Sequence, residues 1–74
     1  MAIVRNLQNN AFYEYLGNNR FKNLSTGAEG EVPDEKAREI FVVNLEATHI
    51  IETYPHVKEL ISKLNLKTDI KQTK

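Results

Sequence analysis

Two asparagine pairs bracket a strand-like pattern in the stretch Asn9-Asn10-Ala11-Phe12-Tyr13-Glu14-Tyr15-Leu16-Gly17-Asn18-Asn19. Asparagine tolerates positive φ, which is the backbone conformation that tight hairpin turns require. Each pair is therefore predicted to close a two-residue turn. Together the two turns predict a three-stranded antiparallel meander over residues 2–24.

The predicted turns also set the strand pairing. Leu7 opposes Phe12 in the first hairpin, and Leu16 opposes Phe21 in the second. Because alternate residues of a strand share a face, these four side chains lie with Ile3 on one side of the meander. We expect this side to be the core, since it holds more aliphatic and phenylalanine carbon than the other.

The opposite side of the predicted meander combines two aromatic rings with two cations, contributed by Tyr13, Tyr15, Arg20 and Lys22. Tyrosine and arginine are typical anchors of protein interfaces. Rings that stack on bases and cations that meet phosphates also suit a single-stranded nucleic acid. These four residues are the predicted partner- or nucleic-acid-binding face. The plainer alternative is an ordinary solvated sheet, where tyrosine–lysine cross-strand pairs are common.

Helical spacing begins after a turn-rich connector over residues 25–31. Pro33 and Asp34 suit the first turn of a helix, where proline is tolerated and a carboxylate complements the exposed N–H groups. Apolar residues then form a wide stripe from Ala37 to Tyr54. The stripe predicts a first helix of about twenty residues that contacts the sheet on one side and a second helix or another subunit on the other.

Pro55 is predicted to end or kink this first helix, because proline cannot donate to the preceding turn. Apolar residues from Val57 to Leu64 share one face and predict a second, shorter helix. Asn65 fits the left-handed position just past a helix end. The mostly polar residues 67–74 are expected to fray.

Strands followed by helices are the pattern of an α+β domain. The chain of 74 residues is long enough for one such domain. We expect residues 1–32 to be strand-rich and residues 33–66 to be helical, with a small N-terminal meander of two or three antiparallel strands packed against two C-terminal helices.

Charge and composition limit the classes of partner. The ten Lys and Arg residues balance ten Asp and Glu residues, so no bulk field draws the protein to DNA or to an anionic membrane. The sequence contains no cysteine, which excludes disulfides and thiolate metal sites. Because neither a membrane span nor a signal peptide is recognisable, we expect a cytoplasmic protein without membrane contact.

Motifs for catalysis are absent from the sequence. It has neither a G-x-S-x-G nucleophile elbow nor a phosphate-binding G-x-x-x-x-G-K-[ST] loop. Glu46 and His49 form one Glu-x-x-His pair, whereas di-iron bundles need two such pairs and two further carboxylates. A solvated helix surface is the favoured interpretation of this pair. The sequence thus predicts no catalytic residue, no cofactor and no metal.

These observations favour a non-enzymatic protein-interaction module, with self-association into a homodimer as one form of it. The wide stripe from Ala37 to Tyr54 motivates the dimer. The alternative is a small nucleic-acid-binding domain that uses the aromatic and basic face of the sheet.

Overall fold

The computed structural model describes residues 1–45 and 53–69. Within them the strands are β1 (Ile3–Asn6), β2 (Phe12–Gly17), β3 (Arg20–Asn23), β4 (Glu29–Glu31), β5 (Phe41–Asn44) and β6 (Lys67–Asp69). The helices are α1 (Asp34–Ile40) and α2 (Tyr54–Lys58), and a π-helical turn over Glu59–Lys63 continues α2. The α+β class and the C-terminal helices are confirmed, while the sheet is larger than predicted.

The six described strands form one sheet in the order β4-β3-β2-β1-β5-β6. Strands β1 to β4 follow one another as an antiparallel meander. Strand β5 returns to pair antiparallel with the free side of β1, and β6 pairs parallel with β5. The first strand of the chain therefore lies inside the sheet, between β2 and β5.

The first hairpin turn is longer than predicted and spans four residues, Leu7–Asn10. It is closed by Asn6, whose N–H donates to Ala11 O at 2.8 Å. The Asn6 Oδ1 atom accepts hydrogen bonds from the N–H groups of Gln8 at 2.7 Å and of Asn9 at 3.2 Å. The side chain of Asn6 thus organises the turn, and the last turn residue has a φ of 62°.

This longer turn moves the pairing of β1 and β2 by two residues. Phe12 opposes Arg5 instead of the predicted Leu7, and Glu14 opposes Ile3. Because side chains alternate with a period of two, a slip of two residues leaves every side chain on its predicted face. The predicted pairing is wrong, but the predicted division of β1 and β2 into faces is right.

The second turn, Asn18-Asn19, forms as predicted, with φ values of 54° and 63°. A bulge between Tyr15 and Gly17 then shifts the pairing of β3 by one residue. Phe21 opposes Tyr15 instead of Leu16. A slip of one residue moves every side chain of the strand to the other face of the sheet. Phe21 therefore lies on the opposite side of the sheet from the one predicted.

The core lies between the helices and the face of the sheet that carries Val4, Tyr15 and Phe21. The predicted core face is therefore wrong, and its members Leu7 and Phe12 are exposed. Two changes explain the error: the bulge brings Phe21 to the other face, and β5 adds two more buried side chains there. The buried cluster comprises Ala2, Val4, Tyr15, Phe21, Ala37, Ile40, Phe41, Val43, Val57, Leu60, Leu64 and Leu66.

The helix predicted from residue 33 is wrong over residues 41–44, where the chain forms β5. Helix α1 does begin at Asp34 after Pro33, as predicted, and the N–H of Phe41 still donates to Ala37 O before the backbone becomes extended. Phenylalanine and β-branched valine favour strands. Of the described apolar residues of the stripe, Ala37, Ile40, Phe41 and Val43 are buried inside this chain, Leu45 is half-buried, and Tyr54 is 56% exposed. The part of the stripe up to β5 therefore gives no argument for a dimer; residues 46–52 lie outside the described residues.

The second helix is confirmed, although Pro55 lies in its first turn rather than at the end of the preceding helix. In the π-helical turn the N–H of Leu64 donates to Glu59 O, five residues back, at 3.0 Å. Asn65 then takes the predicted left-handed conformation with a φ of 65°. The Arg38 Nε atom donates to Leu64 O at 3.1 Å, which connects α1 to the C-terminal end of the π-helical turn.

The predicted frayed tail is wrong for residues 67–69, which form β6 beside β5. Residues 70–74 lie outside the described residues. None of the described helices has the length and apolar character needed to cross a membrane.

Candidate functional site

The two tyrosines of the predicted binding face lie on the side of the sheet that the helices cover. Tyr15 is fully buried, and its ring centroid is 5.0 Å from that of Phe21 and 5.6 Å from that of His56. Tyr13 is half-buried and meets the ring of Phe41 edge-on at 5.2 Å. Tyr15 is therefore not accessible to a partner.

The two cations of the predicted face lie on the opposite side of the sheet, because the bulge before Gly17 turns β3 over. Lys22 opposes Glu14 on the uncovered face. Arg20 lies two residues earlier on the same side, and its Nη2 atom is 3.5 Å from Glu29 Oε1. The structure thus divides the predicted four-residue face between the two sides of the sheet.

Tyr15 belongs to a polar cluster that links the sheet to the helices. Its hydroxyl oxygen accepts a hydrogen bond from the Asn19 N–H at 3.2 Å. Burial raises the pKa of Tyr15 to about 12, and a hydrogen bond to the carboxylate of Glu59 adds to the rise. The phenol is therefore protonated at neutral pH, where it serves as a neutral donor.

Asn19 is the centre of this cluster. Its Nδ2 atom donates to Val32 O at 2.9 Å and to Asp34 Oδ1 at 2.6 Å. Its Oδ1 atom accepts a hydrogen bond from Lys63 Nζ at 3.2 Å. The β2–β3 turn is thereby joined to the start of α1 and to the π-helical turn. Every buried side-chain N and O atom in the described part of the chain has a hydrogen-bond partner, so this cluster is a structural link.

A groove of about 480 Å³ opens on the uncovered face of the sheet. Its described lining contains no charged side chain, and its polar part consists of Asn10, Ser25 and Asn44. The apolar part of the lining consists of Met1, Ile3, Ala11, Phe12 and Leu24. A depression of this size falls within the range of pockets that bind small molecules, roughly 300–1,000 Å³.

Local structure explains why these apolar residues meet. The register of the first hairpin places Ile3 of β1 diagonally across from Phe12 of β2. Leu24 follows the end of β3, and its N–H donates to Phe12 O at 3.0 Å. Met1, Phe12 and Leu24 are 51%, 42% and 41% exposed, and they are three of the six large apolar residues that are exposed in the described chain.

Sequence reasoning missed this groove because it assigned Phe12 to the core. The alternating pattern shows that Ile3 and Phe12 share a face, and this part of the prediction is correct. It does not show which face the helices cover. The signal that would have helped is Phe41-Val42-Val43, since a strand there adds the buried side chains of Phe41 and Val43 to the other face.

Charges alternate from strand to strand across the uncovered face. The pairing of β3 with its two neighbours places its cations between acidic side chains on both sides. From the edge inward the order is Glu29 and Glu31 on β4, Arg20 and Lys22 on β3, Glu14 on β2, and Arg5 on β1. Both signs are therefore interleaved, and the described part of this face offers no continuous basic track.

No group of three or more His, Asp or Glu residues in the described part of the chain is placed to hold a metal ion. Glu46 and His49 lie outside the described residues, so the structure does not place this pair.

No protein-family model matches the chain, and neither a curated protein nor a solved structure matches it. We therefore infer the function from the geometry of the described residues.

Proposed function

We propose that the protein is a non-enzymatic interaction module that holds a bulky apolar side chain of a partner protein in the groove of the uncovered sheet face. One observation carries this proposal: exposed Met1, Phe12 and Leu24 gather around a single groove of about 480 Å³ whose described lining has no charged side chain. Exposed apolar residues that gather around one depression are typical of binding sites, whereas scattered ones are ordinary.

The energy of such an interaction would come from the removal of apolar surface from water. Phe12 and Leu24 are each about two-fifths exposed, so full burial of each would contribute roughly 1 kcal/mol. Arg5 and Glu14 lie beside the groove on the same face. Charges at a rim orient a partner and speed its association more than they add affinity.

The compartment is part of the same proposal. We place the module in the cytoplasm, since a cysteine-free chain needs no oxidising environment.

The nucleic-acid alternative has no specific observation in its favour. The predicted mode combines rings that stack on bases with cations that meet phosphates on one face. Tyr13 and Tyr15, however, lie on the helix-covered side, while Arg20 and Lys22 lie on the other. Arg20 is moreover paired with Glu29 at 3.5 Å. We therefore do not propose this function.

An NMR titration tests the proposed groove, with N-acetylphenylalanine amide as a stand-in for the partner's side chain. We expect the amide signals of Phe12, Leu24 and Ser25 to move, because these residues line the groove. Leu24→Lys should abolish the response. Ile61→Lys is the matched control, since Ile61 is 39% exposed against 41% for Leu24 and is not part of the groove lining.

Sedimentation velocity of the same variants identifies the partner class. A dimer that Leu24→Lys dissociates and Ile61→Lys does not would make a second copy of this chain the partner. A monomer with the expected NMR shifts points to a different protein. A monomer without those shifts would overturn the proposal.

A further inference from the structure

Strand β4 is the outermost strand at one side of the described sheet. It pairs only with β3 among the described strands, and all its residues, Glu29–Glu31, are exposed. An unpaired strand edge is a template on which another extended chain can add by main-chain hydrogen bonds.

The hydrogen bonds on either side of β4 show which backbone groups point outward. The N–H of Asn23 donates to Ala28 O, and the N–H of Val32 donates to Asn19 O, both at 2.8 Å. Ladder bonds of an antiparallel pair recur at every second residue. Gly30 therefore faces β3, while the N–H and C=O groups of Glu29 and Glu31 point away from the sheet.

The charges of the uncovered face indicate what an added strand would carry. Strands β1 to β4 alternate between basic and acidic side chains, and the outermost pair, Glu29 and Glu31, is acidic. Opposite charges on neighbouring strands stabilise the pairing, and like charges oppose it. A second copy paired through its own β4 would place glutamate against glutamate, so the edge disfavours self-pairing.

We propose that the outer edge of β4 receives an extended basic segment of a partner protein, with Lys or Arg at alternate positions beside Glu29 and Glu31. Main-chain groups of these two residues bind the added strand, and their carboxylates select its charge. Arg20 reaches Glu29 from the inner side at 3.5 Å, and a carboxylate can accept further donors. The edge uses different residues from the groove, so the two proposals fail independently.

The test is an NMR titration at low ionic strength with the blocked peptide Lys-Val-Lys-Val-Lys. We expect shifts at the amides of Glu29 and Glu31 and slower hydrogen exchange of both. The peptide Glu-Val-Glu-Val-Glu should leave both amides unchanged. Equal binding of the two peptides, or no binding of either, would overturn the proposal.

Variants separate strand addition from simple charge attraction. Glu31→Gln removes the carboxylate and keeps the outward N–H, whereas Glu31→Pro removes both at an edge position that tolerates proline. Glu31→Pro should therefore weaken binding about fivefold more than Glu31→Gln does. Glu31→Lys should weaken it further. Glu35→Lys makes the same change of charge on exposed α1 and is the matched control.

Two results with these variants contradict strand addition. One is an equal affinity of Glu31→Pro and Glu31→Gln, and the other is a loss in Glu35→Lys as large as that in Glu31→Lys. If Glu31→Pro does not fold, Glu31→Lys and the exchange rate of the Glu29 amide decide the question.

Discussion

The hydroxyl of Tyr15 couples the stability of the protein to alkaline pH. Burial raises the pKa of Tyr15 from 10.0 to about 12, so the folded protein holds this proton more tightly than the unfolded chain does. Below about pH 10 the stabilisation is complete, and it is lost as the pH rises from about 10 to about 12. The loss should amount to roughly 2 kcal/mol in the free energy of unfolding.

Urea unfolding of the native protein and of Tyr15→Phe checks this expectation. The free-energy difference between the two should shrink across the same pH interval, because only the native protein has the buried phenol. Tyr54→Phe removes the same oxygen from an exposed ring and serves as the control. A constant difference between the native protein and Tyr15→Phe at alkaline pH would show that the buried hydroxyl does not control the transition.

Asn19 and Asn18 allow a clean comparison, because both have positive φ in the same turn but only Asn19 carries the bonds to Val32, Asp34 and Lys63. Glycine keeps the conformation of either position. We expect Asn19→Gly to lower the free energy of unfolding by roughly 1–3 kcal/mol through the lost hydrogen bonds. Asn18→Gly should change it by no more than roughly 0.5 kcal/mol.

Urea denaturation measures both of these values. The cost of added chain flexibility is common to the two substitutions. The difference between their losses in unfolding free energy therefore measures the contribution of the Asn19 side-chain hydrogen bonds. Equal losses in the two variants would mean that the turn, and not the bonds from Asn19, links the layers.

Among the elements, the two hairpins show how far sequence reasoning reaches. In the first, the turn was predicted two residues too short, but the faces of β1 and β2 were right. In the second, the Asn18-Asn19 turn was right, but the bulge before Gly17 reversed the faces of β3. Asparagine pairs indicate that a turn exists, whereas the alternating pattern does not reveal one extra residue in a strand.

Strand β5 was missed for a different reason. Ile40, Phe41 and Val43 are buried in the structure. A short apolar run of this kind fits the spacing of a buried helix as well as that of a buried strand. The segment becomes a strand because β1 pairs with β2 along one side only, and Phe41–Asn44 pairs with its other side. That contact joins residues far apart in the chain, and local spacing does not contain it.

The acidic edge of β4 should also prevent self-association. In an antiparallel pair of two copies centred on Gly30, Glu29 of one copy would face Glu31 of the other, and like charges oppose this contact. The double variant Glu29→Val/Glu31→Val replaces the repulsion with β-branched side chains on an open edge. We expect it to form oligomers in a concentration-dependent manner, as measured by sedimentation velocity.

The control for this experiment is Glu35→Val/Glu39→Val, which makes the same changes on the exposed side of α1. It should sediment as the native protein does. If both double variants associate equally, general loss of charge explains the effect and the strand edge has no special role.

At the scale of the whole molecule, the sequence predicted one α+β domain but not which sheet face is covered. That choice determines the site: it buries Tyr15 and leaves Phe12 beside an open groove. It depends on all the elements at once, because β5 and the bulge before Gly17 add aromatic carbon to one side. Candidate surface residues can therefore be named from the sequence, while their exposure follows only from the assembled fold.

The two phenylalanines at positions 12 and 41 test this division of the molecule into a covered and an uncovered side. Phe41 is buried and stacks on Phe21 with ring centroids 4.5 Å apart, whereas Phe12 is 42% exposed. Phe41→Ala should cost about 3–5 kcal/mol, out of a total of about 4–11 kcal/mol for a chain of this length. Phe12→Ala removes the same atoms and should cost less than about 1.5 kcal/mol.

Thermal unfolding followed by circular dichroism measures both changes. We expect Phe41→Ala to be largely unfolded near 37 °C or to melt far below the native protein, and Phe12→Ala to melt close to it. In the reverse order, with Phe12→Ala the more damaging, the helices would have to cover the face of Ile3 and Phe12. The groove would then be part of the core and could not bind a partner, so this pair of variants tests the fold and the proposed site together.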